Sequence, residues 1–166
     1  MFMNEVIYEA GISSQQQQAA VELYSAAYLK IEYCASYKTL LVNWSGKTSS
    51  KELRNGYNLI REALMDYKPQ KWLLDIHKRH PISKEDQQWV FKEVFPEILR
   101  RIDRDLFVAV VLPVTQFHAL VGGLNGDEFI HDNSFLILQH FLYQEEAQRW
   151  LNQMHDFKLA ASTRVG

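Results

Sequence analysis

The densest chemistry in this sequence lies in the run Asp75-Ile76-His77-Lys78-Arg79-His80. A carboxylate two residues from an imidazole can form an acid–base pair, and Asp75, His77 and His80 are types that ligate metals. Lys78 and Arg79 sit among these donors and repel a dication, and no third ligand is near in sequence. A solvated loop is the ordinary reading of the segment, and a small anion or a partner surface suits it better than a metal or an acid–base pair. It follows the apolar run Trp72-Leu73-Leu74, a strand signal, so it falls where ligands collect in parallel α/β sheets, beyond the carboxyl ends of the strands. Trp44 and Thr115, at the ends of two other strands, are expected to converge there with Asp75, His77 and Arg79. The candidate ligand or partner residues are thus Trp44, Asp75, His77, Arg79, His80 and Thr115. No complete catalytic set, metal set or cofactor motif accompanies them.

Other suggestive spots reduce to local structure. Gly46-Lys47-Thr48 lies between a strand and a helix, as the end of a phosphate-binding loop does. That loop needs another glycine five residues earlier, where this chain has Leu41, so a turn into a capped helix is expected. Gly122-Gly123-Leu124-Asn125-Gly126 precedes a strand, not a helix, and reads as a helix stop; His131-Asp132-Asn133 reads as a turn. Arg100, Arg101 and Arg104 are interrupted by Asp103 and Asp105 and suit the end of a helix, where cations complement the dipole. Cys34 falls in a hairpin turn with no histidine close by.

The elements that must position these residues follow from periodicity. Leu29, Ile31 and Tyr33 alternate with Lys30 and Glu32, and Thr39 to Trp44 forms a second strand, so the pair predicts an antiparallel hairpin. Ser49 and Glu52 spell a capping box, ahead of an apolar stripe of Leu53, Tyr57, Ile60, Leu64 and Tyr67 that Pro69 ends. Gly56 on that stripe marks close packing against a sheet. After the strand at Trp72 and a loop over Ile76 to Pro81, Ser83 with Asp86 caps a second helix, which must kink or restart at Pro96. Leu106–Leu112 predicts a central parallel strand, Thr115–Val121 a short helix, Phe135–Phe141 a further strand and Gln144–Met154 the last helix. Residues 1–27 predict an arm or surface helix, residues 28–157 one α/β domain and residues 158–166 a tail. The fold expected is an opening antiparallel hairpin followed by strand–helix repeats, giving a mainly parallel sheet of about five strands with four helices.

Composition narrows the function classes. The 166 residues carry 18 basic and 20 acidic side chains, a net charge of -2, which leaves no electrostatic footprint for nucleic acid. A single cysteine excludes an internal disulfide and fits a reducing, cytoplasmic setting, and no apolar run approaches the ~20 residues of a membrane span. Aromatic residues make up 13% of the chain. Many of them fall on apolar stripes, while Tyr37, Trp44 and Tyr143 sit at strand ends or turns.

Tyr33 to Trp44 with Gly46, Leu53 to Ile60, Trp72-Leu73-Leu74-Asp75, Phe95-Pro96 before Phe107-Val108-Ala109-Val110, and Glu146-Ala147 with Trp150-Leu151 together resemble the STAS fold. That fold belongs to anti-sigma factor antagonists and to cytoplasmic domains of sulphate transporters; the chain is most similar to bacterial STAS-like and CRAL-TRIO-like domains. The resemblance covers about residues 28–152. It implies a non-enzymatic regulatory or interaction module, with a protein partner or a homodimer as the expected association. In the antagonists an Asp-Ser pair follows the third strand and its serine is phosphorylated. Here Asp75 is followed by Ile76, and Ser83 lies eight residues on as a helix cap, so that switch does not carry over. The alternatives are a binder of a small apolar or anionic ligand at the strand-end crevice, and an enzyme using Asp75 with His77 or His80.

Overall fold

The computed structural model describes residues 20–121 and 127–165. Most of the expected arm or surface helix, residues 1–19, and the glycine-rich connection at 122–126 lie outside the described residues. The chain alternates strand and helix around one mixed sheet. In order these are β1 (Ala20–Ser25), β2 (Leu29–Cys34), β3 (Thr39–Gly46), α1 (Ser50–Tyr67), β4 (Lys71–Arg79), α2 (Lys84–Trp89), a π-helical turn (Val90–Val94) and α3 (Phe95–Ile102). They continue with β5 (Leu106–Val111), α4 (Val114–Val121), β6 (Asp127–His131), β7 (Ser134–Phe141) and α5 (Gln144–Val165). With α2, the π turn and α3 running on as one rod, the described helices form four segments, as expected.

Among the described residues the sheet holds seven strands in the order β1-β2-β3-β4-β5-β7-β6. Strands β3, β4, β5 and β7 are parallel, while β1 and β2 on one side and β6 on the other add antiparallel edges. Because β3, β4 and β5 are neighbours in chain order, right-handed crossovers place α1 and the α2–α3 rod on one face. That face buries Leu53, Tyr57, Ile60 and Leu64 of α1 with Val90, Phe95 and Ile98, against Val42, Trp44, Trp72, Leu74, Val108 and Leu138 of the sheet. α5 covers the other face, where Ala147 and Leu151 meet Leu41, Leu73, Phe107, Ala109 and Val111. All six residues of β5 are buried, as a strand covered on both faces requires.

The helix starts behave as their sequences dictate. Ser49 accepts from the Glu52 backbone N–H while the Glu52 side chain accepts from Ser49 N–H; Ser83 accepts likewise from Asp86 N–H. α1 ends at Tyr67, and Lys68 turns the chain in the left-handed region ahead of Pro69. Before Pro96, which has no N–H to give, the Phe95 N–H reaches back to the Val90 carbonyl in a π-helical bond.

Four expectations need correction. Residues 20–25 are the edge strand β1, not part of an arm or surface helix: pairing with the open side of β2 outweighs the helix propensity of the Gln/Ala stretch before them. The sheet has seven strands instead of five, since Asp127–His131 also pairs, with β7 across a tight turn at Asp132-Asn133. In that turn Asp132 takes φ 53°, as a two-residue hairpin demands. β4 continues to Arg79, so Ile76, His77, Lys78 and Arg79 are strand and not loop; Ser45 and Gly46 of β3 supply the pairing. The last helix runs to Val165 through the residues expected as a tail. Among the described residues, no helix is long and apolar enough to cross a membrane.

Candidate functional site

β4 carries the site because of an irregularity in its pairing. Asn43 faces Asp75, but Ser45 faces Lys78, so β4 holds one extra residue around Ile76-His77. A bulge of this kind reverses the alternation beyond it and re-aims side chains. Leu74 and Ile76 face α1 and the α2–α3 rod, Asp75 lies on the opposite face of the strand, and past the bulge Arg79 returns to the α1 side.

There Arg79 lines a cavity of about 230 Å³ at the carboxyl ends of the parallel strands. The floor is Leu74 and Ile76 of β4, Val110 and Leu112 at β5, and Leu138 and His140 of β7. Tyr57 of α1 forms one side, with Val90, Phe91 and Phe95 from the π turn and its continuation opposite. Pro81, Ile82, Gln87 and Gln116 complete it. A π turn widens a helix and is frequent at functional sites; here Val90 and Phe91 of the wall belong to it.

Arg79 is only 7% exposed. Its guanidinium carbon stands 5.7 Å from the centroid of the Trp44 indole, and the Tyr57 phenol is near enough to feel its charge. Nε and Nη1 have no hydrogen-bond partner among the described residues, and no carboxylate pairs with the side chain there. Burial pushes the Tyr57 phenol above its ordinary value of 10.0, while the Arg79 charge pulls the other way. The result is a buried cation, without a carboxylate partner among the described residues, at the lining of a largely apolar cavity. Burying such a charge unpaired costs several kcal/mol, so an arrangement of this kind is suited to take an anion.

Of the six candidate residues only Arg79 lines the cavity. Trp44 is fully buried and supports Arg79 from beneath. Thr115 is exposed on α4, and its neighbour Gln116 reaches the cavity in its place. His80 is exposed, its backbone N–H donating to the Gly46 carbonyl. Asp75 and His77 form a pair of their own outside the cavity: His77 Nδ1 lies 2.5 Å from Asp75 Oδ1, which also accepts from the His77 backbone N–H. A carboxylate oxygen accepts, so Nδ1 is the donor in this contact. No group of three or more His, Cys, Asp or Glu side chains gathers in the way a metal needs, among the described residues. Gly46-Lys47-Thr48 is the expected turn, Gly46 taking φ 71° where β3 leaves the sheet for the Ser49 cap.

Tyr57, Phe91, Phe95, Gln116 and His140 were not separable from ordinary core by sequence. Tyr57, Phe91 and Phe95 keep helical spacing, and His140 alternates with Leu136 and Leu138 as any half-buried strand residue does. One signal was present in His140, a polar residue at the carboxyl end of an apolar strand.

No protein-family model matches the chain, and no curated protein matches it in sequence.

Proposed function

We propose that this protein is a binding module that holds a small molecule with an apolar body and an anionic group in the strand-end cavity. The carrying observation is Arg79, more than nine-tenths buried, on the lining of a largely apolar cavity with no carboxylate paired to it among the described residues. Among the described residues Arg79 is the only formally charged side chain on the lining, so it sets the ligand's sign. The STAS-like and CRAL-TRIO-like resemblance accompanies this reading as a proposal, supported by the antiparallel outer hairpin and the parallel strand–helix repeats. The test is native mass spectrometry of protein purified under non-denaturing conditions from its own cells, beside an Arg79→Met variant. A bound small anion on the wild type that the variant lacks is the expected result. Wild-type protein without adduct, and without a thermal shift across a collection of small organic anions, would overturn the reading.

A second reading, a STAS-like interaction module with a protein partner or a second copy, draws on the sheet's two edges. Val21 of β1 is 57% exposed and Ile130 of β6 is 73% exposed. Open edge strands with exposed apolar residues are suited to pairing with another chain. Light scattering of the wild type against Val21→Lys and Ile130→Lys separates the cases. A dimer that either lysine dissolves supports this reading, and a monomer throughout removes self-association from it.

A further inference from the structure

We infer that Asp75 is a positioning residue: its carboxylate pins the bulge in β4, and so decides that Arg79 and not Lys78 stands on the cavity lining. The weight of that choice rests on the anion-pocket reading, while the geometry stands apart from it. Asp75 is buried. A carboxylate inside a protein is costly unless its oxygens are hydrogen-bonded. Among the described residues both hydrogen bonds to Asp75 come from His77, two residues on. The His77 backbone N–H donates to Oδ1 at 3.0 Å, and the ring Nδ1 lies 2.5 Å from the same oxygen. No lysine or arginine pairs with the carboxylate there. All of its bonding is thus directed at the extra residue in the strand.

The bulge needs such a partner. An extra residue opposite a regular strand is left out of the ladder, and an N–H left unpaired inside a sheet is costly. Asp75 Oδ1 accepts the His77 N–H, in the local turn that aspartate forms readily with the backbone two residues on. Beyond it Ser45 faces Lys78 and Gly46 faces Arg79, so Arg79 falls on the same face as Trp44. With the extra residue taken back into regular pairing, Ser45 would face His77 and Gly46 would face Lys78. Lys78 would then occupy the buried position and Arg79 would turn outward. The two cations are not equivalent, because only the guanidinium is planar and stacks on an aromatic face such as that of Trp44. Asp75 thereby sets which cation the cavity presents.

The experiment reads the register directly, in the full chain carrying Cys34→Ala so that a single introduced thiol reports. Lys78→Cys or Arg79→Cys is combined with Asp75, Asp75→Asn, Asp75→Ala or Asp75→Val. Alkylation by a maleimide on a long polyethylene glycol chain is then timed under native conditions. Residue 78 is exposed and residue 79 buried, so with Asp75 in place position 78 is expected to react at least about tenfold faster. Asp75→Asn retains an acceptor oxygen and is expected to keep that order. Asp75→Ala and Asp75→Val remove the acceptor, and the order is expected to reverse. A general loss of stability speeds both positions together, so a reversal reports register and not stability. An order that survives both substitutions, or two rates that rise together without reversing, overturns the proposal. Valine fills the space of the carboxylate and favours strands, so it carries the test if the alanine variant does not fold. Failure of both to fold also overturns it, since the carboxylate would then hold the fold as a whole and not the register. No step uses a ligand, so this result and the native mass spectra that test the pocket succeed or fail separately.

Discussion

A Cβ placed on Gly56 would run into the Cη2 atom of Trp44, closer than real carbon contacts allow. Trp44 thus fills the groove that the absent side chain leaves between α1 and β3. The same indole stacks at 5.4 Å on Tyr57 and lies beneath the Arg79 guanidinium. Three residues that look unrelated in sequence therefore form one support. The glycine seats the tryptophan, and the tryptophan with Tyr57 holds the arginine at the cavity.

Gly56→Ala is expected to destabilise the fold by about 1–2 kcal/mol. Alanine gains up to ~1 kcal/mol of helix propensity, but forcing a group into a packed core costs about 1–3 kcal/mol, and the rigid ring of Trp44 is not the free end of a flexible chain. A urea denaturation midpoint below wild type confirms this, with Leu29, 2.9 Å from the same Cβ, leaving little room for relief. A midpoint at or above wild type would show that the indole can move.

Arg79→Met is expected to leave stability within about 1 kcal/mol of wild type while ligand binding is lost. Removing an unpaired buried charge relieves its desolvation cost, which offsets the lost contact with Trp44. Chemical denaturation gives the comparison. A loss of about 3–5 kcal/mol, as when one member of a buried ion pair is removed, would make Arg79 structural.

Asp86→Ala is expected to cost about 2–3 kcal/mol, more than a surface carboxylate. Asp86 is buried, accepts a 2.6 Å hydrogen bond from Ser50 Oγ at the start of α1, and lies 3.7 Å from Arg54. Its removal unties the N-termini of α1 and α2 and leaves the Ser50 hydroxyl without its carboxylate. Asp86→Asn retains an acceptor and should lose less. Thermal melts of the two variants, ranked against wild type, check the order.

Alkaline solution is expected to weaken the fold through tyrosines. Tyr33 and Tyr57 are raised above 10.0 chiefly by burial, and Tyr28 chiefly by its hydrogen bond with Tyr24. The unfolded chain gives up these protons first, so their contribution is complete below the unfolded value and declines as pH rises through the folded values. Urea midpoints from about pH 8 to about pH 11 should be level at first and then fall, and the fall should be smaller in Tyr57→Phe. A flat profile to the upper end contradicts the burial argument.

Local elements were legible wherever short-range chemistry decides them. Both serine caps, the stop at Pro69, the break before Pro96, the β2–β3 hairpin and the close approach at Gly56 follow from side chains within a few residues of each other. So does the parallel centre, because β3, β4, β5 and β7 are joined through helices. The edges were not legible. β1 and β6 exist because a neighbouring strand offers unpaired N–H and C=O groups, and that offer comes from residues distant in sequence.

The candidate site divides the same way. Composition and strand placement alone pointed to the carboxyl end of β4, and to Arg79 among six residues. Which of the six meet was decided by one extra residue in β4, which sends Arg79 toward Tyr57 and leaves Asp75 with His77 on the other side. Periodicity of two holds only while pairing is regular, and the irregularity arises from the match between β3 and β4, not from either strand alone. The walls came from the packing of the α2–α3 rod over the sheet, which turned Phe91 and Phe95 from ordinary stripe residues into the lining of a cavity. The sequence by itself determined the layers and the charge; tertiary structure decided that one arginine is buried, supported by Trp44 and placed on the lining of the cavity.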